Sequence, residues 1–247
     1  MKKLLFLPIV IFSLLISCTD DASEDNFIPP TEEAPIDENN EDNDDDDNGD
    51  NETPTACNIT TKDGLLILEG ESFELQGKWG VVADEKASGG KYIEYTGANN
   101  YNSPNLTHEI SVKFYVPAKA GYRVKWFMRQ PPEEASGDLA NDVWIYFPGD
   151  LGRAYVNQQP VTLEHYEKFV SRSAKDGEFA FGGALDLHNP KSSSWMTVDF
   201  PEAGEYTLNI CARSKHFQLD KIILSTGLDN DVVAETSKDL TETSTCD

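Results

Sequence analysis

Positive charge is what this 247-residue chain has least of: 20 Lys and Arg stand against 44 Asp and Glu, for a formal charge of −24. A protein that binds nucleic acid needs a basic footprint to meet the phosphates, so that class of partner is excluded. Histidine is equally thin, and the four that occur, His108, His165, His188 and His216, show no spacing that would ligate zinc. Helical periodicity is nearly missing. Residues 163–171 are the best candidate for a helix, and no βαβ alternation is present, which sets aside α/β architectures. There is no internal repeat. Cysteine numbers only 4, too few for a disulfide-built scaffold in a chain of this length.

What is there falls into zones. Residues 1–17 carry Lys2 and Lys3 before an apolar run at 4–16, too short to span comfortably as a permanent membrane helix. The run ends in Leu15-Ile16-Ser17-Cys18, which resembles the lipobox of bacterial lipoprotein precursors. That resemblance implies cleavage before Cys18 and lipidation of it, so that the protein meets the membrane through an N-terminal lipid only. Residues 18–57 form an acidic tether: from 19 to 57 there are 16 Asp and Glu and no Lys or Arg. Such a segment repels itself and cannot bury enough apolar surface to offset its chain entropy. Its first acidic residues look like the signals that send lipoproteins of some Gram-negative bacteria to the outer face of the outer membrane, the expected location.

Residues 58–227 are expected to be one domain, with 228–247 an acidic tail. The exported setting favours disulfides, and Cys57 and Cys246 would pin the two ends together if the termini lie side by side, leaving Cys211 single; Cys211 with either partner is the competing arrangement. Short alternating segments dominate the domain: 91–95, 108–117, 121–129, 141–147, 194–200 and the pair within 204–225. Residues 148–183 read as a long excursion with one short hairpin or helix. The fold class is therefore all-β, a two-sheet antiparallel β-sandwich. Two oddities stand out. Glu69 and Glu71 are two apart on what reads as one strand face, and Asp220 interrupts the apolar run of the last strand, where an acid is costly to bury unless a cation or donors satisfy it. The alternative is an edge-strand aspartate facing water.

The order of the segments resembles carbohydrate-binding modules of family 6 and the related family 35. The pieces that carry the resemblance are L-E-G-E-S-F, A-S-G-G-K-Y-I, A-G-Y-R-V-K-W-F-M-R, N-D-V-W-I, S-W-M-T-V-D-F-P-E-A-G-E-Y-T-L-N-I and R-S-K-H-F-Q-L-D-K-I-I-L-S, spanning residues 65–225. The resemblance implies a jelly roll of the galactose-binding-like type. It also implies a structural calcium ion held by Glu69, Glu71 and Asp220, chemistry that suits a hard cation among clustered carboxylates. A sugar site would comprise Tyr92, Trp195 and Gln218, aromatic planes with an amide between. Gln218 stands where the family commonly has asparagine.

Other candidates for sugar contact are His216, Asn141, Asp142, Arg129, Trp79 and Lys91, although Arg129 and Asp142 would equally form an ion pair bracing neighbouring strands. Trp126 and Trp144 read as core. The expected function is non-catalytic capture of plant or algal polysaccharide at the cell surface, alongside outer-membrane glycan transporters and enzymes. The alternatives are a small jelly-roll polysaccharide lyase or glycosidase, and a structural or adhesive domain without a sugar ligand. Hydrolysis wants two carboxylates across a cleft, and the unclaimed pair Glu133 and Glu134 are adjacent in sequence, so they seldom face one substrate bond.

Overall fold

The computed structural model describes residues 59–132, 138–171 and 177–243. Cys18, the tether, Cys57, Cys246, Glu133 and Glu134 lie outside the described residues. Fourteen strands are present among those described: β1 (Leu65–Glu69), β2 (Trp79–Ala83), β3 (Lys91–Tyr95), β4 (Glu109–Val116), β5 (Ala120–Arg129), β6 (Asp142–Tyr146), β7 (Gly152–Val156), β8 (Gln159–Thr162), β9 (Glu167–Val170), β10 (Ala180–Gly182), β11 (Ala184–Leu185), β12 (Thr197–Phe200), β13 (Gly204–Ala212) and β14 (Gln218–Ser225). They form two sheets. One runs β2-β3-β14-β5-β12-β7-β8, with β1 sharing an edge of β14 and β10 sharing an edge of β5; the other runs β11-β9-β6-β13-β4. Every pairing between these strands is antiparallel. The all-β sandwich expected from the alternating segments is what the chain forms.

The core lies between the sheets and is built by period-two alternation. β5 sends Tyr122, Val124, Trp126 and Met128 inward, and β13 sends Leu208, Ile210 and Ala212 to meet them. Arg123, Lys125, Phe127 and Arg129 of β5 are consequently on the outer face of the large sheet, where the candidate sites lie. That face is not bare. Leu65, Ile67, Phe127 and Ile223 form a second apolar cluster there, and Val233 packs onto it from α1 (Asn230–Lys238). The stretch expected to be an acidic tail thus contains a helix that covers part of the sandwich.

Three further expectations are corrected. Residues 163–171 hold β9, not a helix. Glu71 does not share a strand face with Glu69, because β1 ends at Glu69 and a one-turn 3-10 helix, Gly70–Ser72, carries Glu71. Asp220 is on no exposed edge: β14 pairs on both sides, and Asp220 is 3% exposed.

The described ends meet. The Thr60 amide donates to the Thr243 carbonyl at 3.3 Å, and the Thr243 hydroxyl donates to the Thr60 carbonyl. Cys211 is a free thiol, fully buried in β13, and burial together with the charge of Glu109 pushes its pKa up to about 12. The thiolate is the reactive form. Cys211 is therefore expected to resist a thiol reagent up to about pH 10 while the fold holds, and to react once denaturant opens the sandwich; labelling of Cys211 followed by peptide mass spectrometry reads both states.

Candidate functional site

Three clusters of chemically active side chains lie on the large sheet. The first surrounds Asp220. The ladder between β14 and β5 slips between Leu219 and Lys221, so Asp220 is the extra residue of a bulge, at the point where the other edge of β14 passes from β3 to β1. The bulge turns its carboxylate toward the 3-10 turn Ser88–Gly90. There Asp220 Oδ1 accepts from the Ser88 amide at 2.8 Å, and Glu69 Oε1 accepts from the Ser88 hydroxyl at 2.6 Å. Burial pushes the Glu69 carboxyl up to about 7 and the Asp220 carboxyl up to about 6, opposed for Glu69 by the Ser88 hydroxyl and for both by the charge of Lys221. Glu71 is raised as well, again chiefly by burial.

Lys221 was not anticipated. Its side chain is fully buried, and its ammonium donates to Ser88 Oγ at 3.0 Å, the Leu240 carbonyl at 2.5 Å and the Lys238 carbonyl at 3.3 Å, with Glu69 Oε1 at 3.9 Å. The two carbonyls belong to the end of α1 and the residues just after it, where main-chain acceptors have no helical partner. One buried cation therefore ties the bulge, the serine turn and the C-terminal helix together.

Some features around Ser88 suit a hard cation. Glu69 Oε2 and Glu71 Oε2 are buried without a hydrogen-bond partner, and a Cβ at Gly89, which has φ +60°, would fall 2.8 Å from Glu71 Oε1. Among the described residues, however, no three acidic, histidine or cysteine side chains stand together as a ready metal centre. Glu69 and Glu71 each carry one unused carboxylate oxygen, but the acids do not stand together as a group of three.

The second cluster is built on Arg129 at the end of β5. Its guanidinium lies over the rings of Tyr92 (4.8 Å) and Phe179 (4.5 Å), donates to Gln218 Oε1 at 2.7 Å and pairs with Asp84 at 2.6 Å. Gln218 in turn donates to Glu94 Oε2 at 3.2 Å, and His216 Nδ1 is 2.8 Å from Glu94 Oε1. Tyr92, Arg129 and Gln218 are all buried. Their polar atoms already satisfy one another, which makes this end of the sheet a closed brace rather than an open clamp.

The third cluster is an open cleft of about 710 Å³ lined by Arg123, Tyr155, Asn157, Gln158, Lys191, Ser192, Ser193, Trp195 and Thr197. Trp195 is 50% exposed, with Arg123 stacked 4.5 Å from its ring centre. Tyr155 projects from β7, its hydroxyl 3.4 Å from the Thr197 hydroxyl, and Ser193 Oγ is buried without a partner. Asn157 and Gln158 form the two-residue turn of the β7–β8 hairpin with φ of 51° and 66°. Two left-handed residues in succession are the primed turn that suits hairpin twist, but it usually takes glycine. Here it carries two amide side chains at the rim of the cleft.

Trp195 and Gln218 are therefore not parts of one clamp. They sit against Arg123 and Arg129, six residues apart on one strand, or about 20 Å. Of the other candidates, Trp79 is core, its indole donating to the His108 carbonyl at 2.9 Å and its ring against Tyr95 and Phe217. Asp142 does not pair with Arg129. It belongs to the other sheet, where Arg213 and the Ser214 hydroxyl donate to it and Lys168 Nζ lies at 3.6 Å. Asn141 is buried beside it, and Lys91 is exposed near Glu71. Trp126 is core as expected, whereas Trp144 is half-buried, donating to the Asn100 carbonyl at 2.8 Å with Arg213 5.1 Å from its ring centre. Arg123 was legible as an outward residue of β5. Tyr155, Asn157 and Gln158 come from the 148–183 excursion, whose strands are too short and polar to announce themselves, and Lys191 comes from a turn beyond it.

No family model matches the sequence, and no curated protein sequence matches it. Solved structures that it resembles include an exo-β-1,3-galactanase from Phanerochaete chrysosporium with β-1,3-galactotriose, at 12% identity and TM-score 0.37, over 66% of this chain and 30% of that one. This chain thus corresponds to under a third of the galactanase. They also include the C-terminal family 6 carbohydrate-binding module of a marine laminarinase from Zobellia galactanivorans (12% identity, TM-score 0.38, 66% of this chain and 99% of that one). A family 35 carbohydrate-binding module from Clostridium thermocellum gives 16% identity and TM-score 0.36, over 65% of this chain and 98% of that one. The two module families that the sequence pattern resembles are thus among the structural neighbours.

Proposed function

We propose that this protein is a non-catalytic, surface-anchored polysaccharide-binding lipoprotein whose sugar site is the Trp195 cleft. The observation that carries the reading is an exposed indole beside a tyrosine, in a cleft rimmed by amides and hydroxyls. Pyranose rings have apolar faces that pack on aromatic planes, while their hydroxyls need convergent donors and acceptors. The lipobox at Cys18 and the acidic tether would hold the cleft at the outer membrane. Tethering of many copies raises avidity for a repeating polymer, so modest single-site affinity suffices.

Affinity electrophoresis of the lipid-free chain against a panel of plant and algal polysaccharides tests this. Retardation by a glycan without release of new ends supports capture. New reducing ends, or the ultraviolet absorbance of unsaturated uronates, would instead make the protein a glycosidase or a lyase.

Calcium at Glu69, Glu71 and Asp220 belongs to the same proposal, supported by the two unpartnered oxygens and the Gly89 turn. A bound ion would neutralise carboxylates that burial otherwise pushes toward protonation. Added calcium is expected to raise the melting temperature of chelator-treated protein, and Glu69→Gln to remove that increment. A melting temperature indifferent to both chelator and calcium counts against the ion.

A further inference from the structure

Charge sets the Trp195 cleft apart from the rest of the molecule. The chain has a formal charge of −24, yet the cleft lining contains two cations, Arg123 and Lys191, and no carboxylate. Among the described residues neither cation has an ion pair. Arg123 gives one hydrogen bond, from Nη1 to Asn230 Oδ1 at 3.2 Å, which leaves Nε and Nη2 for a ligand. Lys125, two residues along the same face of β5, adds a third positive charge; its ammonium is buried on the Gly183 carbonyl at 2.8 Å.

The acids nearby do not cancel this. Asp199, two residues beyond Thr197 on β12, is paired with Arg153 at 3.5 Å, and Asp229 and Asp231, which flank Asn230, make no pair with Arg123. With Asp199 engaged by Arg153 and, among the described residues, no acid paired to Arg123 or Lys191, the charged groups that line the cleft are both positive. A guanidinium edge offers paired N–H groups that match the oxygens of a carboxylate or a sulfate ester. Here it lies over the indole that would carry the sugar ring, 4.5 Å from its centre.

We propose that the Trp195 cleft takes an acidic glycan: a pyranose ring packs on the open side of Trp195 and against Tyr155, and a uronate carboxylate or sulfate ester on the chain meets Arg123 and Lys191. The inference rests on the glycan-binding reading above and narrows it to a substrate class. Recognition is then partly electrostatic and weakens with salt.

The test compares polymers that differ only in whether the acid is masked. The lipid-free chain is run in affinity gels against homogalacturonan in de-esterified and fully methyl-esterified forms, and against κ-carrageenan and its desulfated product, at low and physiological salt. Binding of an acidic polymer about tenfold tighter than of its masked counterpart is expected, since one charge-assisted hydrogen bond is worth about that factor. The polymer that responds distinguishes carboxylate from sulfate. Arg123→Gln and Lys191→Gln are each expected to weaken that binding and shrink its salt dependence. Lys191 is exposed in a turn, so its replacement reports on charge even if Arg123→Gln loosens the Asn230 contact. Equal retardation by masked and unmasked polymers, unchanged in Lys191→Gln, overturns acid recognition and leaves glycan binding standing. Retardation by none of these, nor by the wider neutral panel, overturns both.

Discussion

Lys221→Ala is expected to cost about 3–5 kcal/mol of folding stability, the usual penalty for removing one partner from a buried charged pair. The three protons of this ammonium are matched by Ser88 Oγ and the carbonyls of Lys238 and Leu240, and its charge opposes the buried Glu69 and Asp220. Without it those carbonyls lose this charged donor, and the carboxylates keep their desolvation cost without relief. Lys221→Met should lose nearly as much although it retains most of the stem, which shows that the ammonium rather than packing is responsible. Denaturant midpoints of the two variants, at an m-value unchanged from the parent, provide the measurement. A loss under 1 kcal/mol in both would mean that α1 and the serine turn are held by apolar contacts alone.

The second large effect falls on binding. Trp195→Ala is expected to weaken the retained glycan by about 30-fold, since a tryptophan at the centre of a binding patch is typically worth about 2 kcal/mol and each 1.4 kcal/mol is tenfold. Stability should change little, because half of the indole faces solvent and the contact it surrenders is the Arg123 stack, worth about 0.5–1 kcal/mol. The same titration on Gln218→Ala should show little change in affinity, since Gln218 is occupied by Arg129 and Glu94. If Gln218→Ala abolishes binding and Trp195→Ala does not, the site is at the other end of the sheet.

The strands that alternate cleanly were legible: β3 was read at its observed limits, and the expected limits of β4, β5, β6 and the β13–β14 pair differ from the observed ones by one residue or none except at the turns. Period-two alternation is strong wherever one face is core. The excursion at 148–183 was not legible because its strands are three to five residues long, and β8 is exposed throughout and contains Pro160. Helix α1 was missed because it buries only Val233 and Ser237, so its apolar stripe is too narrow to register. A clue to it lay elsewhere. Leu65-Leu66-Ile67-Leu68 is apolar on both faces, which requires a cover outside the sheet, and α1 supplies part of it.

At the candidate sites, residue types were read better than their company. Asp220 and Glu69 are buried and adjacent to a cation, but the cation in the structure is Lys221, a residue that sequence alone places in an apolar run. Arg129 and Asp142 looked like partners because they flank one loop, yet β5 and β6 belong to different sheets. Tyr92 and Gln218 do meet, through Arg129, while Trp195 was separated from them by the length of β5 that lies between Arg123 and Arg129. Distance along a strand is invisible until the pairing of β12 with β5 is known.

The most direct test is a crystal structure of the protein with an oligosaccharide cut from whichever polymer it retains. A sugar ring packed on the open face of Trp195, with its polar groups directed to Tyr155, Asn157 and Arg123, is the predicted result. A sugar bound instead against Gln218 and His216, with the Trp195 cleft empty, would contradict the account.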